Sequence, residues 1–192
     1  MNKRMLVLIG VTAGFAAGSI IAADRDASLY VGVKSCKMCH KKPEEGEQFA
    51  KWSDSKHSKA FELLGTPEAK EAGKKVGVDD PQKSGKCLKC HSTAYNFTEA
   101  VATTEIPVEE GVSCESCHGP GKNYKKKEIM KDKKQAVAGG LIEDAKVSCK
   151  ECHNEKAVGW KADRYTLKDG TKTGFDFDQA FEKIKHPRPK TN

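Results

Sequence analysis

The chain is 192 residues long, carries 34 basic against 27 acidic side chains for a formal net charge of +7, and is only 7% aromatic. That length allows one domain of ordinary size. So few aromatic and apolar side chains exclude a large core built from side chains alone, and the basic excess identifies no partner until the rest of the chain is read.

The first element is an export signal. Met-Asn-Lys-Arg opens the chain, residues Met5 to Ala23 are apolar, and Asp24 restores polarity. A basic start, an apolar stretch and small residues before a charged one mark a secretory signal. Cleavage is expected after Ala23, or after Ala22. The nineteen residues from Met5 to Ala23 would also just span a bilayer as an uncleaved anchor. Glycines at 10, 14 and 18 and the Ala-Ala end favour cleavage. The expected location is the periplasm; the alternatives are an inner-membrane anchor facing the periplasm or release outside the cell. Losing Lys3 and Arg4 lowers the net charge to +5.

A short leader from Asp24 runs into Cys36-Lys-Met-Cys39-His40. The same pattern returns as Cys87-Leu-Lys-Cys90-His91, Cys114-Glu-Ser-Cys117-His118 and Cys149-Lys-Glu-Cys152-His153. These motifs take all eight cysteines. C-x-x-C-H is the signature of c-type haem attachment. On a helical turn, residues i and i+3 share a face, so both sulfurs reach the two vinyl groups of one porphyrin. The histidine that follows supplies the proximal nitrogen to iron. Zinc ribbons would use paired cysteines, and a disulfide framework would suit export. Neither explains a histidine after every second cysteine. Four covalently bound haem c groups are therefore expected, with His40, His91, His118 and His153 as iron ligands. With two propionates against about one positive charge at each ferric centre, the four haems add about −4 to the charge, so the basic excess points to no nucleic-acid partner. No stable membrane insertion is expected once the signal is removed.

Between the motifs, Pro43 to Leu64 reads as one helix. Pro43 suits its first turn with Glu44 and Glu45 behind it. Phe49, Trp52, His57, Ala60, Phe61 and Leu64 fall near one stripe, and Gly65 and Pro67 end it. A polar helix follows from Pro67 with Thr66 as cap, fading at Gly73. Residues Ala94 to Thr103 are β-prone and read as an extended loop or short hairpin. Gly119-Pro120-Gly121 turns the chain sharply away from the third motif. Lys122 to Lys134 is lysine-rich. Phe175 to Lys185 reads as a helix burying Phe177, Phe181 and Ile184, stopped at His186 because the residue before a proline disfavours helix. The fold expected is mainly α with long irregular loops. It is a compact multihaem cytochrome c over residues 24–192, one domain, whose core is formed by packed haems.

Six-coordinate haem needs a second axial ligand, and after the four proximal histidines only His57 and His186 remain. Methionine is the usual next choice. Met38 lies inside the first attachment motif and is badly placed for that haem. Met130 sits among lysines, where it is either a ligand or a gap-filler. Four haems thus have three candidate distal ligands, one short.

Three stretches carry a family resemblance: Trp52-Ser-Asp-Ser-Lys-His57-Ser-Lys-Ala60, Gly111-Val-Ser-Cys114 through Gly121-Lys-Asn123, and Phe175-Asp-Phe-Asp-Gln through His186. Together they resemble the cytochrome c-554 family, tetrahaem carriers that accept electrons from hydroxylamine oxidoreductase in ammonia-oxidising bacteria. The resemblance implies that His57 ligates the His153 haem and His186 the His118 haem, and that the His91 haem is five-coordinate. In the family a further histidine past the Gly-Pro-Gly turn completes the His40 haem. This chain has none there, and Met130 is the nearest substitute. Exchanging histidine for methionine raises a haem's potential.

The function expected is a periplasmic electron carrier, with no catalytic residue assigned. Its partners would be redox proteins, either a donor like hydroxylamine oxidoreductase or a quinol-linked membrane cytochrome, met through the lysines of 122–134. Two alternatives remain: a reductase of a small nitrogen oxide or peroxide at an open site on the His91 haem, and a subunit of a conductive haem filament.

Overall fold

The computed structural model of the chain describes residues 26–95 and 105–187. The expected signal, 1–23, and most of the β-prone stretch, 94–103, lie outside the described residues. Within them the chain is mainly α: helices α1 Gly32–His40, α2 Gln48–Ser53, α3 Ala60–Leu63, α4 Pro67–Lys74, α5 Gly85–His91, α6 Cys114–His118, α7 Lys127–Lys131, α8 Lys133–Ala138, α9 Lys146–Cys152 and α10 Phe177–Ile184. One hairpin, unforeseen in the sequence, pairs β1 Tyr165–Thr166 antiparallel with β2 Lys172–Thr173. No described helix is long and apolar enough to cross a membrane. Ala94 and Tyr95 belong to a 3₁₀ turn rather than an extended segment.

The single helix expected over 43–64 is broken into three pieces. Pro43–Glu45 forms only a 3₁₀ turn, after which Gly46 (φ 97°) and Glu47 (φ 51°) turn the chain through left-handed conformations into α2. Beyond Ser53 the serines take over the backbone. Ser58 Oγ donates to the carbonyls of Ser53 and Ser55, each at 2.9 Å, and Ser55 Oγ accepts from Ser58 N at 3.4 Å. Hydroxyls that satisfy local carbonyls offer the chain an alternative to helix, and His57 lies in the resulting bend. The pattern of apolar residues was helical, but glycine and serine chemistry overrode it.

Other helices follow their sequence signals. Thr66 Oγ1 accepts from Ala69 N at 3.2 Å and caps α4 with Pro67 in its first turn. Asp132 accepts from Lys134 N at 3.0 Å and Gln135 N at 3.1 Å, which splits the lysine-rich stretch into α7 and α8. Asp176 accepts from Gln179 N at 2.9 Å and starts α10. That helix ends before His186-Pro187 as the proline requires. Its apolar face is less covered by protein than expected: Phe177 and Phe181 stack on each other at 5.3 Å, and Phe181 remains 40% exposed.

The buried apolar residues are few. Tyr30 packs on Ile106 with Ala27 beside them, and Leu64, Val78, Leu88 and Tyr124 are buried elsewhere. The strongest tertiary tie is polar. Helix α1 has no side-chain cap from its own neighbourhood. The Glu115 carboxylate, 1% exposed and borne on α6, accepts instead from Val31 N at 3.0 Å, Gly32 N at 2.9 Å and Gly121 N at 2.6 Å. Glu110 adds a longer contact to Val33 N at 3.3 Å. Carboxylates favour a helix N-terminus because free N–H groups converge there. This pair docks the helix bearing the first motif onto the helix bearing the third.

Candidate functional site

Every attachment motif ends a helix: α1, α5 and α6 each finish on the motif's histidine, and α9 finishes on Cys152 with His153 as the next residue. The two cysteines of each motif therefore sit one helical turn apart on a common face. At the third motif the exit is tightly built. Gly119 has φ 77°, and a Cβ there would lie 2.5 Å from the Gly140 carbonyl oxygen. Tyr124 Oη donates to the carbonyls of His118 at 3.0 Å and Gly119 at 2.7 Å.

Sulfur contacts order the motifs in space. The thiols of Cys36 and Cys114 lie close enough to interact, as do those of Cys90 and Cys152. Cys117 and Cys149 lie close enough to interact. The sequence of neighbours is thus first motif, third, fourth, second, a row not legible from chain order.

The histidines fall into two facing pairs. The His57 and His153 ring centres are 6.0 Å apart, and those of His118 and His186 are 5.8 Å apart. Two imidazoles that share one metal at about 2 Å from each nitrogen place their ring centres about 6 Å apart. The residues present therefore fit an iron between each pair, and each pair contains one histidine that directly follows a Cys-x-x-Cys. Burial holds the His57, His118 and His153 rings below the usual imidazole range, His118 at about 4 with further depression by His186 and His40. Neutral imidazole is the form that donates a lone pair to a metal. Phe175 stacks on His153 at 5.0 Å and 13°, which restrains its ring plane.

His57 is placed from both sides of one strand of chain. Its carbonyl accepts from Val112 N at 3.0 Å, while the Val112 carbonyl accepts from Trp52 Nε1 at 2.9 Å. Gly111, with φ 66°, is needed here, because a Cβ would lie 2.8 Å from the carbonyl oxygens of His57 and Ser58. The other two motif histidines are held through Nδ1: His91 against the Ala60 carbonyl at 2.9 Å, and His40 against Gln48 Oε1 at 3.1 Å.

Among the described residues, neither His40 nor His91 has a second histidine ring packed against it. Met130 is half-buried on α7, which packs on α8, and among the described residues no hydrogen bond or ring contact joins it to His40. Met38 is 66% exposed. Sequence reasoning missed Gln48, Glu110, Glu115 and the orienting part of Phe175. Nothing in the local pattern around the two glutamates marks them, since both act on backbone far away in the chain.

Glu110 carries a pH signature. Burial, opposed by the Val33 N–H and aided by Glu115, pushes its carboxyl up to about 6. A raised folded-state value means stability is greatest when the group is protonated and falls as pH rises through about 6. Allowing for its partial exposure, the loss is about 1 kcal/mol. Denaturant melts of Glu110→Gln should lack this decline between pH 4.5 and 7, while the unsubstituted protein shows it.

Residues 35–119, which contain the first three motifs, match the family model described as cytochrome c554 and c-prime. Over 95% of this chain and 85% of the relative, the sequence is 28% identical to cytochrome c-554 from Nitrosomonas europaea. No solved structure matches.

Proposed function

We propose that this chain, a c-type cytochrome of electron transport whose matches support the cytochrome c-554 family, is an exported carrier that holds four covalent haems in one row. The observation that carries the reading is the two pairs of facing histidines, His57 with His153 and His118 with His186, at 6.0 and 5.8 Å. Haem, when bound, supplies a one-electron couple at each site. The chain's own residues do the rest. The cysteines of each motif would anchor a haem through thioethers, and the following histidine would supply an iron ligand. His57 and His186 would supply the second iron ligand at the fourth and third sites. The neighbouring sulfurs of Cys36 and Cys114, Cys117 and Cys149, and Cys90 and Cys152 bring the four attachment points into sequence, so haems held there would form one row for electron transfer inside the protein. With the rings counted in, the sparse side-chain core becomes a packed interior.

Exposed lysines on α7 and α8, Lys127, Lys131 and Lys134 among them, offer a positive face to an acidic redox partner. Lys133 is already paired with Glu143.

A second reading rests on the unpaired histidines. Among the described residues His91 meets no facing histidine, so a haem held there would keep one side open to a small ligand such as nitric oxide, hydroxylamine or peroxide. A mass spectrum of the exported protein combined with a count of high-spin and low-spin haems tests both readings. Four haems are expected, with one high-spin if Met130 ligates the His40 haem and two if it does not. Fewer than four covalent haems refutes the carrier as described. Carbon monoxide binding by the ferrous protein with turnover of a small nitrogen oxide would favour the reductase.

A further inference from the structure

Gln48 is 8% exposed, lies on α2, and belongs to none of the attachment motifs. Its side-chain amide is satisfied on three sides. Nε2 donates to the Glu45 carbonyl and to the Pro187 carbonyl, the latter at 2.9 Å. Oε1 faces His40 Nδ1 at 3.1 Å. A primary amide has its donors on nitrogen and its acceptors on oxygen. Two carbonyls can be met only by the NH₂ group, so the oxygen must be the atom turned to His40. A carbonyl oxygen only accepts, and the proton of the imidazole therefore resides on Nδ1. That leaves the Nε2 lone pair free for iron.

We propose that Gln48 is the positioning residue for His40: it sets the tautomer and ring plane of the first haem's proximal ligand and tunes that haem's potential. Resting on the attachment of haem at Cys36, Cys39 and His40, this extends the reading above to a residue outside the motifs. The partner of a ligating histidine's second nitrogen raises the ligand's basicity and fixes its orientation. His91 gets the same service from a backbone carbonyl, Ala60 O at 2.9 Å, which no side-chain substitution changes. At His40 the partner is a side chain, so the potential of that haem is open to adjustment by one codon. The amide's anchor at Pro187 follows His186 directly, so the hold on the first haem's ligand is built on the segment that bears the candidate distal ligand of the third.

The test uses the full haem-loaded protein with Gln48→Leu and Gln48→Glu, followed by redox titration at pH 8 with the haem methyl resonances resolved by NMR. Leucine removes the acceptor, weakens the ligand and makes the His40 haem easier to reduce. An ionised glutamate pulls harder on the Nδ1 proton, strengthens the ligand and makes the same haem harder to reduce. Each shift should be roughly tenfold in the reduction equilibrium, or about 59 mV for one electron, with opposite signs. The methyl shift pattern of that haem should also reorder as the imidazole plane rotates in the leucine variant. A purely structural glutamine would give both variants a shift of the same sign or none, and either result overturns the proposal. A peptide from 36–40 lacking haem would instead overturn the attachment itself, so the two failures are told apart by mass.

Discussion

Replacing Glu115 with alanine should destabilise the protein by roughly 3–5 kcal/mol, the largest stability loss expected from any single substitution other than at the motif cysteines and histidines. The reason is the company this carboxylate keeps. Val31 N, Gly32 N and Gly121 N all donate to it in a buried setting, and each donor left without a partner costs about 1–3 kcal/mol. Burial raises the carboxyl's affinity for its proton while the same three N–H groups lower it. Burial prevails, so the carboxyl stays above its ordinary value even with the three donors. For a chain of this size the thermal midpoint should fall by about 10 °C. Glu115→Gln keeps one oxygen and should lose about half as much. Amide hydrogen exchange would localise the damage, with faster exchange at Val31, Gly32 and Gly121. An unchanged midpoint in the alanine variant would show that this carboxylate does not join the first and third motifs.

Replacing His57 with alanine should convert one low-spin haem to high spin and leave the covalent haem count unchanged. The ring of His57 faces that of His153 at 6.0 Å, whereas the bend that carries it is held by its backbone. The His57 carbonyl keeps its bond from Val112 N, and the Trp52 indole keeps its bond to the Val112 carbonyl. An alanine variant should therefore fold and lose only the distal nitrogen. Added imidazole should enter the space left by the side chain and restore the low-spin spectrum. A spectrum identical to that of the unsubstituted protein would remove His57 from the ligand set. High spin that imidazole fails to reverse would point to a collapsed site rather than a missing ligand.

Burial raises the carboxyls of both glutamates beside α1, and the two differ in what opposes it. Glu115 is met by several strong donors, whereas Glu110 has only long contacts at 3.3 Å to Val33 N and sits near the Glu115 charge. Burial prevails at both, and at Glu110, where the opposition is only long contacts, acid should strengthen the protein as pH falls through about 6.

What the amino-acid order determined by itself was everything written within a few residues of chain. Four Cys-x-x-Cys-His runs reveal covalent haem chemistry because thioether attachment requires two sulfurs one helical turn apart and a histidine next to them. Thr66 before Pro67, and Pro187 after His186, announce the start of α4 and the end of α10 because caps and proline act on adjacent backbone groups. The pairing of His57 with His153 and of His186 with His118 came from family likeness, not from spacing. Tertiary structure decided what spans the chain: which histidine faces which, the order of the motifs in space, the Glu115 clasp on α1 and the Gln48 bridge from His40 to Pro187. It also decided the break in the expected helix over 43–64. There a helical apolar stripe lost to left-handed Gly46 and Glu47 and to serines that captured local carbonyls. Periodicity records which face is apolar. It does not record where a distant backbone N–H will find its acceptor, because that depends on packing between segments far apart in sequence.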